Sequence, residues 1–238
     1  MPALIFLKEC NSTNEEILNF LNSAETYYQA VYTLNQTNGK GQYGNSWECG
    51  ENLNLAFSIA VPRQLYETHH HLLNFRTALL LSDFLANMTK CRVEIKWPND
   101  IIIKNKKISG ILTEKKNVDG TPYFIIGVGL NILQENFNHL PKAGSILTQT
   151  GLKLDPENVA NLLFEYLTAN LKNPISTEEL FERINQNLFR KDIVSVYKLQ
   201  GLRQNGIIKK VDEDGYLWVI LEHQGLQKFY NKEIELLY

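Results

Sequence analysis

The segment Lys96-Trp97-Pro98-Asn99-Asp100 places an ammonium group and a carboxylate at one corner of the chain. Alternating apolar residues predict a strand at 93–97, and its last residue is held extended by the proline that follows. A turn then leads into an apolar strand at 101–103. Such a corner can hold Lys96 and Asp100 over a cleft, although a solvent-exposed turn between two strands is the simpler alternative.

A second motif is the glycine-rich run Gly39-Lys40-Gly41-Gln42-Tyr43-Gly44. It matches the dinucleotide pattern GxGxxG, but a strand rather than a helix is predicted after it. Ser58 and Ile59 stand where that fold requires an acidic residue, so a dinucleotide site is excluded. Glycyl amides that converge on one concavity suit an anion, and Lys40 adds a cation. A flexible hairpin loop is the alternative.

Glycines also interrupt two apolar strands, at Gly110-Ile111-Leu112-Thr113-Glu114 and Gly127-Val128-Gly129-Leu130-Asn131. Glycine inside a strand often marks close approach by a ligand or another backbone. Asn131 can pair with an amide or a purine edge, whereas Glu114 can be a surface residue. Each feature alone is also compatible with a purely structural role.

Two polar runs carry weaker signals. The consecutive histidines 69–71 begin a predicted helix, where neighbouring side chains point in different directions, so metal binding is disfavoured. Lys104, Lys106 and Lys107 predict a solvated turn, or a surface that receives an acidic partner.

Hydrophobic patterns predict an α+β fold with a mixed β-sheet flanked by helices. Strands are expected at 3–7, 27–34, 53–61, 93–97, 101–103, 108–114 and 123–130. Helices are expected from a capping box at Ser12 to Asn22, and at 69–90, 156–171 and 177–189. Four short strands at 193–199, 206–211, 216–221 and 226–230 predict a small β-barrel. The predicted domains are residues 1–188 and 189–238.

Composition narrows the function classes. The 238 residues carry 24 Lys+Arg and 26 Asp+Glu, and this balance argues against nucleic-acid binding. No apolar run is long enough to span a membrane. Three widely spaced cysteines predict neither a disulfide framework nor a zinc site, which fits a cytoplasmic protein.

Taken together, the motifs resemble those of bacterial biotin–protein ligases in both order and spacing. The matching segments are Ser12-Thr13-Asn14, Gln36 with the loop from Gly39 to Trp47, the KWPND segment at 96–100, the segment from Lys107 to Glu114, and Gly127 to Asn131. The resemblance implies a class II synthetase-like catalytic domain with a C-terminal SH3-like barrel. Because the chain begins almost at Ser12, it also implies the short class without an N-terminal DNA-binding domain.

The resemblance implies a two-step reaction that uses ATP, biotin and Mg²⁺. Biotin is first converted to biotinyl-AMP, and a lysine of a biotin carboxyl carrier protein or domain then accepts it. The implied catalytic residues are Lys96, Lys40 and Asp100, with Asp100 either orienting Lys96 or accepting a proton. The implied biotin-binding residues are Ser12, Thr13, Asn14, Gln36, Gly39, Lys40, Gly41, Gln42, Lys96, Gly110, Ile111, Gly127 and Gly129. The implied ATP-binding residues are Lys40, Gly41, Trp47, Lys96, Asn99 and Asn131.

The metal ligands are not identified, and a homodimer is implied only by the resemblance. The family loop often carries three arginines, where this chain has Lys40, Gln42 and Asn45; we therefore expect weaker retention of the adenylate. Two other functions stay open: a ligase or transferase for lipoate or octanoate, and a non-catalytic module that binds biotin or nucleotide.

Overall fold

The computed structural model describes residues 2–21, 27–62 and 70–238, apart from the side chain of His70. The predicted helix end at Asn22, the whole of His69 and the side chain of His70 lie outside this description.

Nine strands form the N-terminal part of the described chain. They are β1 Ala3–Phe6, β2 Gln29–Thr33, β3 Gly39–Lys40, β4 Ser46–Trp47, β5 Asn54–Pro62, β6 Glu94–Lys96, β7 Asp100–Ile103, β8 Lys106–Val118 and β9 Thr121–Asn131. Seven of them make one sheet in the order β1-β2-β5-β9-β8-β7-β6, while β3 pairs with β4. Only β1 and β2 run parallel among these seven, and the other pairs are antiparallel. The mixed sheet predicted from the short connections is therefore confirmed.

The described helices are α1 Thr13–Glu16, α2 His70–Thr89, α3 Ile146–Thr150, α4 Pro156–Asn170 and α5 Thr177–Gln186. Three of them begin at side-chain caps, where Ser145 accepts from the backbone of Thr148, Asp155 from that of Asn158 and Ser176 from that of Glu179. The short helix α3 was not predicted. Leu73, Leu79 and Leu163 belong to the main apolar core under the sheet.

The predicted capping box at Ser12 is wrong. Ser12 occupies the N-cap position of α1, but its side chain makes no capping hydrogen bond. The carboxylate of Glu15, which the box requires, is instead paired with Lys40. The helix also tightens into a 3₁₀ turn at Ile17–Phe20.

Five further strands form a C-terminal antiparallel sheet in the order β13-β12-β11-β10-β14. They are β10 Val194–Leu199, β11 Leu202–Val211, β12 Leu217–Leu221, β13 Gly225–Phe229 and β14 Glu235–Leu237. The first four were predicted, whereas β14 was missed. The α+β fold, with a large mixed sheet and a small C-terminal β-structure, is confirmed; the boundary between residues 188 and 189 stays a prediction.

The two sheets are fastened together at the KWPND corner. Nε1 of Trp97 donates to the backbone oxygen of Gly215 at 2.9 Å. The amide of Ile95 donates to Asn187 O at 2.8 Å, and the amide of Phe189 donates back to Ile95 O at 2.9 Å. These bonds bring the C-terminal sheet over the strand ends that carry the predicted site.

Candidate active site

A cavity of about 740 Å³ lies between the large sheet, the glycine-rich loop and the C-terminal sheet. Most of the predicted site residues line it: Ser12, Thr13, Asn14, Gln36, Lys40, Gly41, Gln42, Trp47, Lys96, Asn99, Asp100, Gly110, Ile111, Gly127 and Gly129. Residues that are distant in sequence therefore share one cavity. Gly39 and Asn131 are not part of the lining.

A carboxylate held between two lysines forms the charged centre of the cavity. Nζ of Lys96 lies 3.0 Å from Oδ2 of Asp100, and Nζ of Lys107 lies 2.7 Å from Oδ1. Burial favours the neutral form of Asp100, but the two ammonium groups outweigh it and lower the pKa of that carboxyl. Burial likewise opposes the charge on Lys96, yet Asp100 outweighs it and raises the pKa of the amine. Lys96 and Asp100 therefore stay charged at neutral pH.

The prediction that Lys107 lies in a solvated turn is wrong. The turn at Lys104 and Asn105 is real, and both residues have positive φ. However, β8 already begins at Lys106, and the β7–β8 pairing shifts register between Ile101 and Ile102. The side chain of Lys107 consequently reaches into the cavity rather than into solvent. Strand register decides this, and the available signal was that Lys107 begins the segment to Glu114 that resembles a family motif.

A buried polar network lies where biotin binding was predicted. The backbone amide of Thr13 donates to Oε1 of Gln36 at 2.9 Å. The hydroxyl of Ser58 lies 2.8 Å from Oγ1 of Thr13 and 2.6 Å from Oδ1 of Asn14. The sequence did not single out Ser58 as a site residue, although it sits in the completely buried strand β5. A hydroxyl between apolar neighbours in a strand was the available signal.

Glu114 accepts a hydrogen bond from the amide nitrogen of Asn14, whose amide oxygen is bonded by Ser58. Nδ2 of Asn14 donates to Oε2 of Glu114 at 2.8 Å, and Lys116 lies 3.0 Å from Oε1. Burial raises the pKa of Glu114, but its bonds to Asn14 and Lys116 prevail and the pKa is lowered. Glu114 is thus a partner of a predicted site residue.

The strand glycines are required because side chains lie directly against them. A Cβ on Gly127 would clash with the amide group of Asn14, and one on Gly129 would clash with the ring of Trp47. A Cβ on Gly110 would lie 3.2 Å from the same ring. The Trp47 ring therefore covers the glycine floor, the part of the sheet around Gly110 and Gly129 that was predicted to bind the ligand. The buried Nε1 of Trp47 has no hydrogen-bond partner.

The glycine-rich loop folds as a short hairpin over the cavity. The amide of Gly41 donates to Asn45 O at 2.7 Å, and Lys40 is paired with Glu15 on the half-exposed outer side. Nδ2 of Asn231 donates to Oε1 of Gln42 at 3.3 Å, and Nζ of Lys232 donates to Tyr43 O at 3.2 Å. The C-terminal sheet thereby holds the loop in place.

Two asparagines predicted to bind ATP make structural hydrogen bonds. Nδ2 of Asn99 donates to Ile111 O at 2.8 Å and ties the KWPND corner to β8. Asn131 is only 4% exposed and donates to Gly144 O at 3.0 Å. Their roles toward ATP stay predictions.

The remaining lining comes largely from residues that the sequence patterns did not single out: Lys142, Phe189, Tyr197, Lys232, Glu235 and Tyr238. Within residues 2–21, 27–62 and 70–238, no group of three His, Cys, Asp or Glu side chains is placed to hold a metal ion. No helix in these ranges is long and apolar enough to cross a membrane.

Comparison with known proteins agrees with the motifs and the fold described above. Residues 6–131 match the biotin/lipoate A/B protein ligase family. The bifunctional ligase/repressor BirA of Bacillus subtilis is 26% identical over 98% of this chain and 74% of its own length. A biotin–acetyl-CoA-carboxylase ligase of Paracoccus denitrificans is 30% identical over 66% of this chain and 68% of its own.

A solved structure of biotin protein ligase from Aquifex aeolicus in complex with biotin and ATP superposes with a TM-score of 0.80. It is 26% identical in sequence, and the match covers 98% of both chains. The family match extends over more than half of the chain and contains the glycine-rich loop, the KWPND corner and both glycine-bearing strands. The chain belongs to the biotin/lipoate A/B protein ligase family.

Proposed function

We propose that this protein is an ATP-dependent biotin–protein ligase, which activates biotin as biotinyl-AMP and transfers it to a lysine of a biotin carboxyl carrier domain. The observation that carries the proposal is the single cavity that joins three features. It contains the polar network around Gln36, the glycine floor of β8 and β9, and the Lys96–Asp100–Lys107 cluster.

The polar network suits the ureido ring of biotin, which has both donors and acceptors. Ser12, Thr13 and Gln36 lie at the end of the cavity formed by α1, while the Trp47 ring lies against Gly110 and Gly129 on the sheet. These polar groups bond one another in the absence of a ligand, and a lipoyl or octanoyl chain offers no donors and acceptors to replace those bonds, so opening the network for such a chain costs binding free energy. The network therefore favours biotin over the other acyl groups.

The lysine cluster suits the activation step. A carboxylate oxygen of biotin forms a bond to the α-phosphorus of ATP, and the bond to the β-phosphate oxygen breaks, so that pyrophosphate leaves with the electron pair. Two anions must approach each other, and Lys96 and Lys107 offset their repulsion in a largely desolvated place. Amides of the glycine-rich loop can add further donors.

Mg²⁺ is proposed as the counterion of ATP. Mg²⁺ is commonly held by one or two carboxylates together with substrate phosphates, and Asp100 and Glu235 both line the cavity. Because both oxygens of Asp100 are held by lysines, Glu235 is the side chain that would hold such an ion together with the phosphates. When bound, Mg²⁺ would supply charge neutralisation on the phosphates.

In the transfer step, the ε-amine of the acceptor lysine attacks the acyl carbon of biotinyl-AMP, and AMP leaves. Asp100 is a poor base for the proton of that amine, because both of its oxygens are held by lysines and its pKa is lowered. We therefore assign Asp100 the task of orienting Lys96 and Lys107.

The proposal is tested by measuring pyrophosphate release with biotin, lipoate, octanoate or no acid. Release with biotin, and transfer of label to a purified biotin carboxyl carrier domain, would support it. Faster release with lipoate or octanoate would instead indicate the related ligases. Binding of biotin without pyrophosphate release at any MgATP concentration would indicate a non-catalytic binding module.

The cellular setting is proposed from the state of the cysteines. All three cysteines are free thiols, which fits the cytoplasm. A homodimer would pair sheet edges, and β1 is the candidate edge because β6 is already bridged by Leu188. Light scattering of the purified chain measures this directly.

A further inference from the structure

The lysines that line the cavity differ in their partners. They are Lys40, Lys96, Lys107, Lys142 and Lys232. The first pairs with Glu15, the next two share Asp100, and Lys232 donates to a backbone oxygen. In the described part of the chain, Lys142 has no carboxylate within 4 Å and no hydrogen-bond acceptor for its amine.

The backbone of Lys142 is nevertheless firmly placed beside the lysine cluster. The amide of Lys107 donates to Lys142 O at 2.8 Å, and the amide of Gly144 donates to Lys107 O at 3.1 Å. This pair of bonds joins the 140–144 segment to the start of β8. The segment therefore brings Lys142 to the same end of the cavity as Lys107.

The ring of Tyr238 directs the amine of Lys142. Nζ of Lys142 lies 4.7 Å from the ring centroid, and Nζ of Lys96 lies 5.9 Å from the same centroid. The ring is itself packed edge-on against Phe189, with centroids 5.0 Å apart. One aromatic ring thus contacts both a buried catalytic amine and an amine without an anionic partner.

The charge balance of the cluster explains why another cation is needed. Lys96, Lys107 and Asp100 together carry a net charge of +1, whereas a nucleoside triphosphate carries several negative charges. A cation next to the cluster, and without a competing carboxylate, can bind the phosphates beyond the reaction centre.

We propose that Lys142 binds the β- and γ-phosphates of the nucleotide, and the pyrophosphate released from it, with Tyr238 positioning the Lys142 amine. This inference rests on the proposed function for the identity of the nucleotide reaction. Lys142 takes no part in bond making or breaking; it offsets the charge that accumulates on the leaving pyrophosphate.

The test compares Lys142→Gln with Lys153→Gln, a matched change at an exposed lysine outside the cavity. In biotin-dependent exchange of pyrophosphate into ATP, the Lys142 variant should raise the KM for both ATP and pyrophosphate about tenfold. The KM for biotin should stay unchanged. Lys142→Arg should behave like the wild type, and Tyr238→Leu should raise the same two constants by a smaller factor.

Equal KM values for pyrophosphate in the wild type and Lys142→Gln would overturn the inference, as would a loss of biotin binding in that variant. Calorimetry with sodium pyrophosphate and with MgATP gives a readout that does not depend on catalysis. If the wild type binds MgATP but does not activate biotin, the proposed function fails. In that case, weaker MgATP binding by Lys142→Gln would still support the role of Lys142 in phosphate binding. If the wild type binds neither compound, both proposals fail.

Discussion

Replacement of Asp100 by Asn should destabilise the protein in a way that depends on pH. Asp100 is only 8% exposed, and its carboxylate lies between the ammonium groups of two lysines. The variant therefore leaves two like charges close together without the carboxylate between them. Removing one partner of a fully buried ion pair costs about 3–5 kcal/mol. Because 24% and 32% of the Lys96 and Lys107 side chains are exposed, we expect a smaller loss, about 2 kcal/mol.

The sign of the pH dependence follows from the lowered pKa of Asp100. Its contribution is fully present above the pKa of the unfolded chain, about 3.9, and is lost as pH falls through the folded pKa. The stability difference between wild type and variant should therefore be largest near neutral pH and shrink in acid. Urea unfolding at neutral pH and at a series of lower pH values measures this difference.

Asp192→Asn provides the matched control. Asp192 also pairs with a lysine, Lys209, but the two side chains are 53% and 43% exposed. This change should cost much less than Asp100→Asn, because solvent screens an exposed ion pair. If Asp100→Asn lowered the free energy of unfolding no more than the control does, or if its loss of stability grew in acid, Asp100 would not be an ionised partner of the two lysines.

Three further predictions concern the cavity walls. Gly129→Ala should lower the free energy of unfolding by about 1–3 kcal/mol, because the new methyl group would meet the Trp47 ring. Thermal unfolding measures this loss, and an unchanged melting temperature would contradict the prediction. Biotin should change the tryptophan fluorescence, because the Trp47 ring lies on the floor proposed for the ligand; the same change in Trp47→Phe would assign the signal elsewhere. Gln42→Arg should slow release of the adenylate, because arginine binds phosphate with a bidentate fork; rapid filtration that shows equal release times would refute this.

Local patterns were sufficient to predict most of the large sheet. β5 and β9 are long apolar runs, and α4 begins at the pair Asp155-Pro156, so each carries its own signal. β14 has three residues and α3 has five, lengths at which periodicity is uninformative. Their formation depends on neighbours, such as β10 for β14, that only the folded chain supplies.

The same distinction applies to the site. Lys96, Gly41 and Gly127 lie in contiguous motifs, and the motifs identified them. Lys107 depends on a register shift between β7 and β8, and Tyr238 reaches the cavity because the C-terminal sheet packs against the KWPND corner. Neither a register shift nor the packing of one sheet on another leaves a short-range pattern in the sequence.

The most direct test of the central claim is single-turnover formation of biotinyl-AMP by Lys96→Ala and Lys107→Ala. Lys153→Ala is the matched control, since Lys153 is exposed and does not line the cavity. We predict that the two cavity variants lose about a hundredfold or more in rate while the control keeps the wild-type rate. Wild-type rates in both cavity variants would contradict the claim that these paired lysines bring biotin and ATP together.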